Sequence, residues 1–387
     1  MNALRTQFIP YQPKNILNKG KRADHWFWTR YSAYPYLGCQ HGCEFCYSRE
    51  QKYEPHRELS GDYDLDADPF SHLIKVKQNA PQLLRKALSR LPVDVIFTGD
   101  YQPAERKFQL SRQMLEVCLE MGFPIFVLSR SPLVLRDLDL LQAIHQKARA
   151  VVAFSIVAAP GSPVEPLVRG FEHLAPPAEK RFRAMQKLAE AGIPTGTVAM
   201  PLLPGLCDTD ENLQALVQAT VEHGGQFILP SSLTLSDQQR SFFLRALRQR
   251  CPELVDSYER FYPAGHSYSP VGGRKWNDTA QSLRRICQQA GLPDRIPRPI
   301  IPGEKRALNK RVVEQLASEL YTLEITNASQ QRQWAYRKTA WAIEDMEQEL
   351  GLFYRTLGKR GLESLPGVGT VMAVVVERFL TQTQNKI

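Results

Sequence analysis

Three cysteines, Cys39, Cys43 and Cys46, stand at spacings of four and three within Tyr34-Pro-Tyr-Leu-Gly-Cys-Gln-His-Gly-Cys-Glu-Phe-Cys-Tyr-Ser-Arg49, and they constrain the fold more than any other feature. Such spacings let one tight loop close around a single compact ion or cluster. Gly38 and Gly42 supply the permissive backbone that close wrapping needs. Three thiolates are one short of the four that close a [4Fe–4S] cluster, and a missing ligand leaves an open position where chemistry takes place. A structural zinc site would need His41 as fourth ligand. His41 is only two residues from each neighbouring cysteine, and no second Cys-x2-Cys pair follows. Inert core thiols do not cluster in this way beside two glycines.

With 387 residues the chain has room for two domains. Its 43% hydrophobic content suits a globular protein, and no apolar run approaches the ~20 residues of a membrane helix. The N-terminus carries no secretory pattern, so a cytoplasmic protein without membrane contact is expected. The other cysteines, Cys118, Cys207, Cys251 and Cys287, are scattered, which is no disulfide framework. A net charge of +9 favours an anionic partner, nucleic acid first.

Along the chain, residues 1–30 form an irregular extension whose Trp26-Phe27-Trp28 and Tyr31 are expected to pack on the domain that follows. Ser60 to Pro69 carries alternating aspartates. The calcium-loop template fails there, with Ala67 where glycine belongs and Leu73 where glutamate belongs, so a solvated loop is expected. β-rich runs then recur at Leu73–Val76, Val93–Thr98, Ile125–Ser129, Val151–Ile156, Thr195–Met200 and Phe227–Pro230. Amphipathic helical stretches separate them, with Leu110, Met114, Val117, Cys118 and Met121 on one face and Phe182, Met185, Leu188 and Ala189 on another. Together with an early strand near the cysteine loop, this alternation predicts an α/β fold, a partial (β/α)6 TIM-like barrel over residues 31–290. Its ligand groups belong at the carboxyl ends of the strands, where Gly99, Asp100, Ser129, Ser155 and the Pro201–Gly205 turn fall.

The Cys-x3-Cys-x-Phe-Cys pattern resembles the signature of the radical S-adenosylmethionine enzymes. That likeness implies a [4Fe–4S] cluster held by Cys39, Cys43 and Cys46, with the fourth iron chelating S-adenosylmethionine. It also implies an external one-electron reductant of flavodoxin or ferredoxin type, and a 5′-deoxyadenosyl radical that takes hydrogen from a substrate. Asp100-Tyr-Gln-Pro-Ala-Glu105, Leu133-Val-Leu-Arg-Asp-Leu-Asp-Leu-Leu141, Glu190-Ala-Gly-Ile-Pro194 and Pro204-Gly-Leu206 resemble the spore photoproduct lyase-like branch, from about Tyr34 to Leu292. By that likeness Gly99, Asp100, Ser129 and Ser155 belong to the S-adenosylmethionine pocket, with Phe45 and Tyr47 beside the adenine. The lyase's extra hydrogen-donor cysteine, some 40 residues after its cluster, has no counterpart. Cys207 after a Pro-Gly turn, or Tyr36, Tyr47 or Tyr101, are the alternative donors.

Gly291 to Gly303 is rich in proline and marks a linker, 291–304, before an all-α domain at 305–387. Val312, Leu316, Leu320 and Leu323 form one apolar stripe there; Trp334, Ala335, Trp341, Ala342 and Met346 suggest a second. Pro366-Gly-Val-Gly369 leading into a helix resembles a helix-hairpin-helix, whose glycines and exposed amides grip a DNA backbone. With Asn309–Leu316 and Trp334–Ala340 it is similar to the N-terminal domain of family X DNA polymerases. Where polymerases with lyase activity carry a lysine nucleophile, this chain has Val375, so DNA binding is what the likeness implies. Gly367, Gly369, Thr370, Arg337 and Lys338 are the expected DNA contacts. The reading that results is a radical enzyme acting on DNA. Its alternatives are the same chemistry on RNA or protein, or a metal-containing DNA-binding protein without activity.

Overall fold

The computed structural model describes residues 6–53, 68–266 and 272–384; the aspartate-rich stretch up to residue 67 lies outside them. Ten strands are formed among the described residues: β1 Gln7–Tyr11, β2 Leu17–Lys19, β3 Tyr31–Ala33, β4 Tyr36–Leu37, β5 Leu73–Lys77, β6 Ile96–Phe97, β7 Ile125–Ser129, β8 Ala150–Ser155, β9 Thr195–Leu202 and β10 Ile228–Ser232. Seven of them make one sheet in the order β10-β9-β8-β7-β6-β3-β2. From β3 to β10 the pairing is parallel, and each strand neighbours the next in that sheet, so the chain winds always in one direction. Winding of that kind yields an open six-stranded half barrel rather than a doubly wound sheet.

Two expectations are corrected. The run at Leu73–Lys77 does form a strand but stays out of the barrel. It pairs with β1 and β4 in a separate three-stranded sheet. Residues 1–30 are not merely irregular either: β1 runs parallel to β5, and β2 closes one edge of the large sheet against β3. The small sheet has a positional role, because the cysteine loop leaves directly from β4.

Alternation along the strands divides the core. Val127, Val152, Phe154 and Ala199 face the helices, where Met114, Leu141, Met185 and Leu216 meet them. On the other face Phe126, Val151, Val198 and Phe227 join Trp28, Ile296 and the C-terminal helices in a second cluster. The Pro-rich segment after residue 291 therefore does more than connect. The Trp28 indole Nε1 donates to the Ile296 carbonyl at 2.8 Å, and the Pro293 carbonyl accepts from the Ile228 amide at 2.9 Å. Burying an aromatic such as Trp28, only 4% exposed, contributes on the order of 2–3 kcal/mol to holding that seam closed.

The C-terminal region is all helix: Ala307–Ile325, Gln330–Glu344, Leu350–Ser364 and Thr370–Gln384. Val312, Leu316, Leu320 and Leu323 are buried as their spacing predicts. The second stripe is rotated from its expected position. Tyr336, Thr339, Ala340 and Ile343 turn inward, while Trp334 stays 44% exposed with its ring edge against Trp341. Among the described residues no helix is long and apolar enough to cross a membrane.

Candidate functional site

The cysteine loop lies between β4 and a short 3-10 turn, Tyr47–Arg49. Gly38 has φ +82, and a Cβ there would stand 2.6 Å from the Leu73 carbonyl oxygen, so no other residue fits. The loop closes on itself: the Gly42 amide donates to Cys39 O at 3.1 Å and the Cys46 amide to Cys43 O at 3.2 Å. Gly42, at φ +61, supplies the left-handed turn between them.

Four side chains, one from the loop's own end and three remote in sequence, lock this loop. Arg49, 4% exposed, donates from Nε to Cys43 O at 2.8 Å and from Nη2 to Gly42 O at 3.0 Å, and its outer edge pairs with Asp68. Its guanidinium also lies over the Phe242 ring at 3.9 Å. Gln102 is fully buried and clamps the loop's other end: Nε2 donates to Gly38 O at 3.1 Å and Oε1 accepts from the Gln40 amide at 3.0 Å. Gln239 Nε2 donates to Phe45 O at 3.2 Å, and Gln238 Nε2 to Arg49 O at 2.9 Å. None of these was legible from local sequence, because each acts through a backbone carbonyl or amide.

Electrostatics tie the three thiols together. Burial pushes the Cys39 thiol well up, with Asp100, Cys46 and Cys43 adding to the effect, and pushes Cys43 up to about 11. The Arg130 guanidinium feels all three. Burial works to lower it, but Cys43, Glu172, Cys46 and Cys39 outweigh that and hold it above its ordinary value. Arg130 sits 5.1 Å over the Phe45 ring and pairs with Glu172, which also takes Arg181 Nη2 at 2.8 Å. Two guanidiniums on one carboxylate leave a net positive charge beside the cysteines.

Buried thiols of this kind become ligands only when a cation draws off their protons. Among the described residues no three His, Cys, Asp or Glu side chains surround one point as a single ion requires. A cluster spreads its ligands over several irons, and three thiols on one loop closed by its own backbone hydrogen bonds suit that donor set. His41, the ligand a zinc site would need, is buried; burial and the Arg130 and Arg181 charges push its ring down to about 3. Cys118, Cys207, Cys251 and Cys287 are all buried, in the hydrophobic core cluster that also takes in Cys43.

Of the rim residues, Asp100 is within electrostatic reach of Cys39. Gly99, at φ +88, follows β6 with Val127 and Tyr101 packed against it. Asp100 accepts from Gln102 Nε2 at 3.0 Å, and burial, with Glu105 adding, pushes its carboxyl up to about 7. Nearby, burial pushes the Lys77 ammonium down to about 8 against the pull of Asp100, and its Nζ donates to Tyr34 O at 2.8 Å. Asp100, whose carboxyl changes charge near neutrality, thus stands within electrostatic reach of Cys39, and Lys77, which was not foreseen, acts on Asp100. Ser129 Oγ turns back on Ser131, accepting from its amide at 2.9 Å, while Ser155 Oγ donates to Met200 O at 3.0 Å. Phe45 is buried under Arg130, and Tyr47 is 54% exposed with its ring edge on Tyr53.

The expected hydrogen donors are placed differently. Cys207 is fully buried in the core cluster, its thiol pushed up to about 12 by burial. Tyr101 is 2% exposed and donates to Asp137 at 3.0 Å; Tyr36 donates to Glu105 at 2.5 Å. Arg136 joins those two carboxylates, so both phenols belong to a closed internal network. Tyr47 is the one of the four that stands open.

In the C-terminal region the turn Leu365–Gly369 projects outward, with only Val368 buried. Gly367 has φ +76 and rests on the Lys338 side chain. Gly369 and Thr370 are exposed at the start of the last helix, and Lys338 is exposed beside them. Arg337 is instead engaged with Glu324 at 2.6 Å and lies 5.0 Å over the Trp334 ring.

No family model matches the chain. An uncharacterized protein of Mycobacterium tuberculosis is 29% identical over 247 residues, which is 62% of this chain and 69% of that protein. An uncharacterized protein of Methanocaldococcus jannaschii is 28% identical over 183 residues, covering 47% of this chain and 64% of its own length. Among solved structures, a mutant of spore photoproduct lyase shares 16% sequence identity over 74% of this chain and 80% of that one, with a TM-score of 0.50. That last likeness is one of fold: the half barrel described above is shared with spore photoproduct lyase.

Proposed function

We propose that this chain is a radical S-adenosylmethionine enzyme acting on nucleic acid, DNA first, as a repair or base-modifying enzyme. The observation that carries the reading is the rigid three-cysteine loop. It is held by Arg49, Gln102 and Gln239 at the carboxyl ends of parallel strands, with every other cysteine in the core. Cys39, Cys43 and Cys46 would hold a [4Fe–4S] cluster, which when bound supplies the electron that cleaves S-adenosylmethionine to a 5′-deoxyadenosyl radical. Beyond it lie Arg130, paired with Glu172, and the hydroxyls of Ser129 and Ser155 at adjacent strand ends, which bond to the Ser131 and Met200 carbonyls. Asp100 and Lys77 can hold or release a proton near neutral pH. The chain's positive charge and the exposed Pro366–Gly369 turn with Lys338 support a duplex as partner. A target base would have to leave the stack to reach the strand ends.

The test is anaerobic reconstitution with iron and sulfide, then dithionite and S-adenosylmethionine, reading 5′-deoxyadenosine. Wild type is expected to form it and the Cys39/Cys43/Cys46 triple alanine variant to form none. A loaded wild type that makes no 5′-deoxyadenosine, even with DNA present, would overturn the enzymatic reading. Equal product formation on RNA or protein but none on damaged DNA would overturn the substrate.

A further inference from the structure

At the end of the barrel opposite the cysteines, where β8, β9 and β10 begin, lies a cleft of about 450 Å³. Its floor comes from His145, Arg149, Pro194 and Gln226, its roof from the extended segment Ile296–Ile301, and Arg311 closes one side. Three arginines and a histidine line it, with no Asp or Glu among the lining residues. Two of those arginines are spoken for. Arg298 makes a bidentate pair with Glu344 at 2.6 and 2.7 Å, and Arg311 reaches Glu314 at 2.7 Å.

Arg149 is different. Among the described residues it has no carboxylate partner, and its guanidinium donates only to the His145 carbonyl, at 3.1 Å. Its backbone stands at φ +104, a region where glycine is ordinarily required, at the end of the helix Leu138–Lys147. The turn itself explains the conformation: the Arg149 amide donates to Ile144 O at 2.9 Å and its carbonyl accepts from Ile125 N at 3.0 Å. It does not explain why a long cationic side chain occupies a glycine position. A cationic side chain held in this region, and bonded only to one backbone carbonyl, keeps most of its donors for an external partner.

We propose that this cleft binds a small phosphate monoester of nucleotide size, with Arg149 as its principal cation. The guanidinium fork matches phosphate oxygens in pairs. Pro297, Pro299, Ile300 and Ile301 offer an apolar wall for the ester's body, and the volume lies in the range of small-molecule pockets. Because the lining comes from both the barrel and the C-terminal region, an occupant would bridge the two.

The probes are AMP, inorganic phosphate and adenosine, titrated calorimetrically and by thermal melting into the full chain. AMP is expected to bind and raise the melting temperature, adenosine to do neither, and phosphate to compete with AMP. Arg149→Gly removes the cation and relieves the backbone, so it is expected to melt no lower than wild type yet lose at least about tenfold in AMP affinity. Arg149→Gln keeps the strained backbone and serves if the glycine variant folds poorly; the same loss is expected. No AMP binding by wild type at millimolar concentration would overturn the proposal. So would adenosine binding as tightly as AMP, phosphate failing to compete, or unchanged affinity in both variants.

Discussion

Two of the molecule's glycine turns are built on opposite principles. In the cysteine loop the space a Cβ would take at Gly38 is already filled by the chain's own carbonyls, 2.6 and 2.9 Å away. In the C-terminal turn a Cβ at Gly369 would meet nothing within 4 Å. The first glycine is required by what the protein packs against itself. The second is required by nothing that the protein packs against itself. Sequence shows the same residue in both places; only the surroundings separate a glycine that internal packing requires from one that it does not.

The largest expected effect follows from the first turn. Gly38→Ala must either push the Leu73 backbone away or abandon φ +82, and together these cost about 3 kcal/mol or more. Bound iron after reconstitution should fall to background, with a lowered melting temperature. Normal iron loading in that variant would break the comparison at its stronger end. Arg49→Ala comes next. It strands two loop carbonyls and Asp68, at a cost of about 2–4 kcal/mol, and should leave a folded protein that binds iron weakly. Retention of both iron and stability would mean that the loop holds its shape without its clamp.

The second turn predicts the reverse pattern. Gly369→Ala should change stability by less than about 1 kcal/mol, since the added methyl meets open space. It should weaken binding of a DNA duplex about fivefold or more, measured by fluorescence anisotropy at fixed salt, because the methyl stands where a phosphate would approach. Unchanged affinity would remove the turn from the DNA contact and leave Lys338 and Trp334 to be tested in its place.

How much of this could be read beforehand depends on the range of the interaction. The half barrel was legible because strand and helix periods are local, and the three cysteines because their spacing is. Leu73–Lys77 was legible as a strand but not in its place, since a period of two does not say which sheet a strand joins. The Trp334 stripe was misread for a related reason. Large aromatics pull an assignment toward the core, yet here Tyr336, Ala340 and Ile343 fill it and Trp334 lies outside beside Arg337. Gln102, Gln239 and the clamping role of Arg49 were invisible because their partners in the loop are backbone groups, which carry no residue signature.

The smallest expected effect lies at the seam between the two regions. His25 sits against Trp28, ring centroids 5.6 Å apart. Burial first, and the Arg298 charge second, hold its imidazole below the usual value, with Glu344 and Asp24 pulling the other way. A histidine whose folded value is depressed takes up its proton more readily when unfolded. The stability its neutral form contributes is therefore fully present above the ordinary histidine range near 6.5, and it is lost as pH falls through that range toward the folded value. Denaturant titrations between pH 8 and pH 5 should show a decline that is shallower in His25→Gln. An identical slope in both proteins would show that the seam is held by Trp28 packing and the Arg298–Glu344 pair alone, without a contribution from the neutral imidazole.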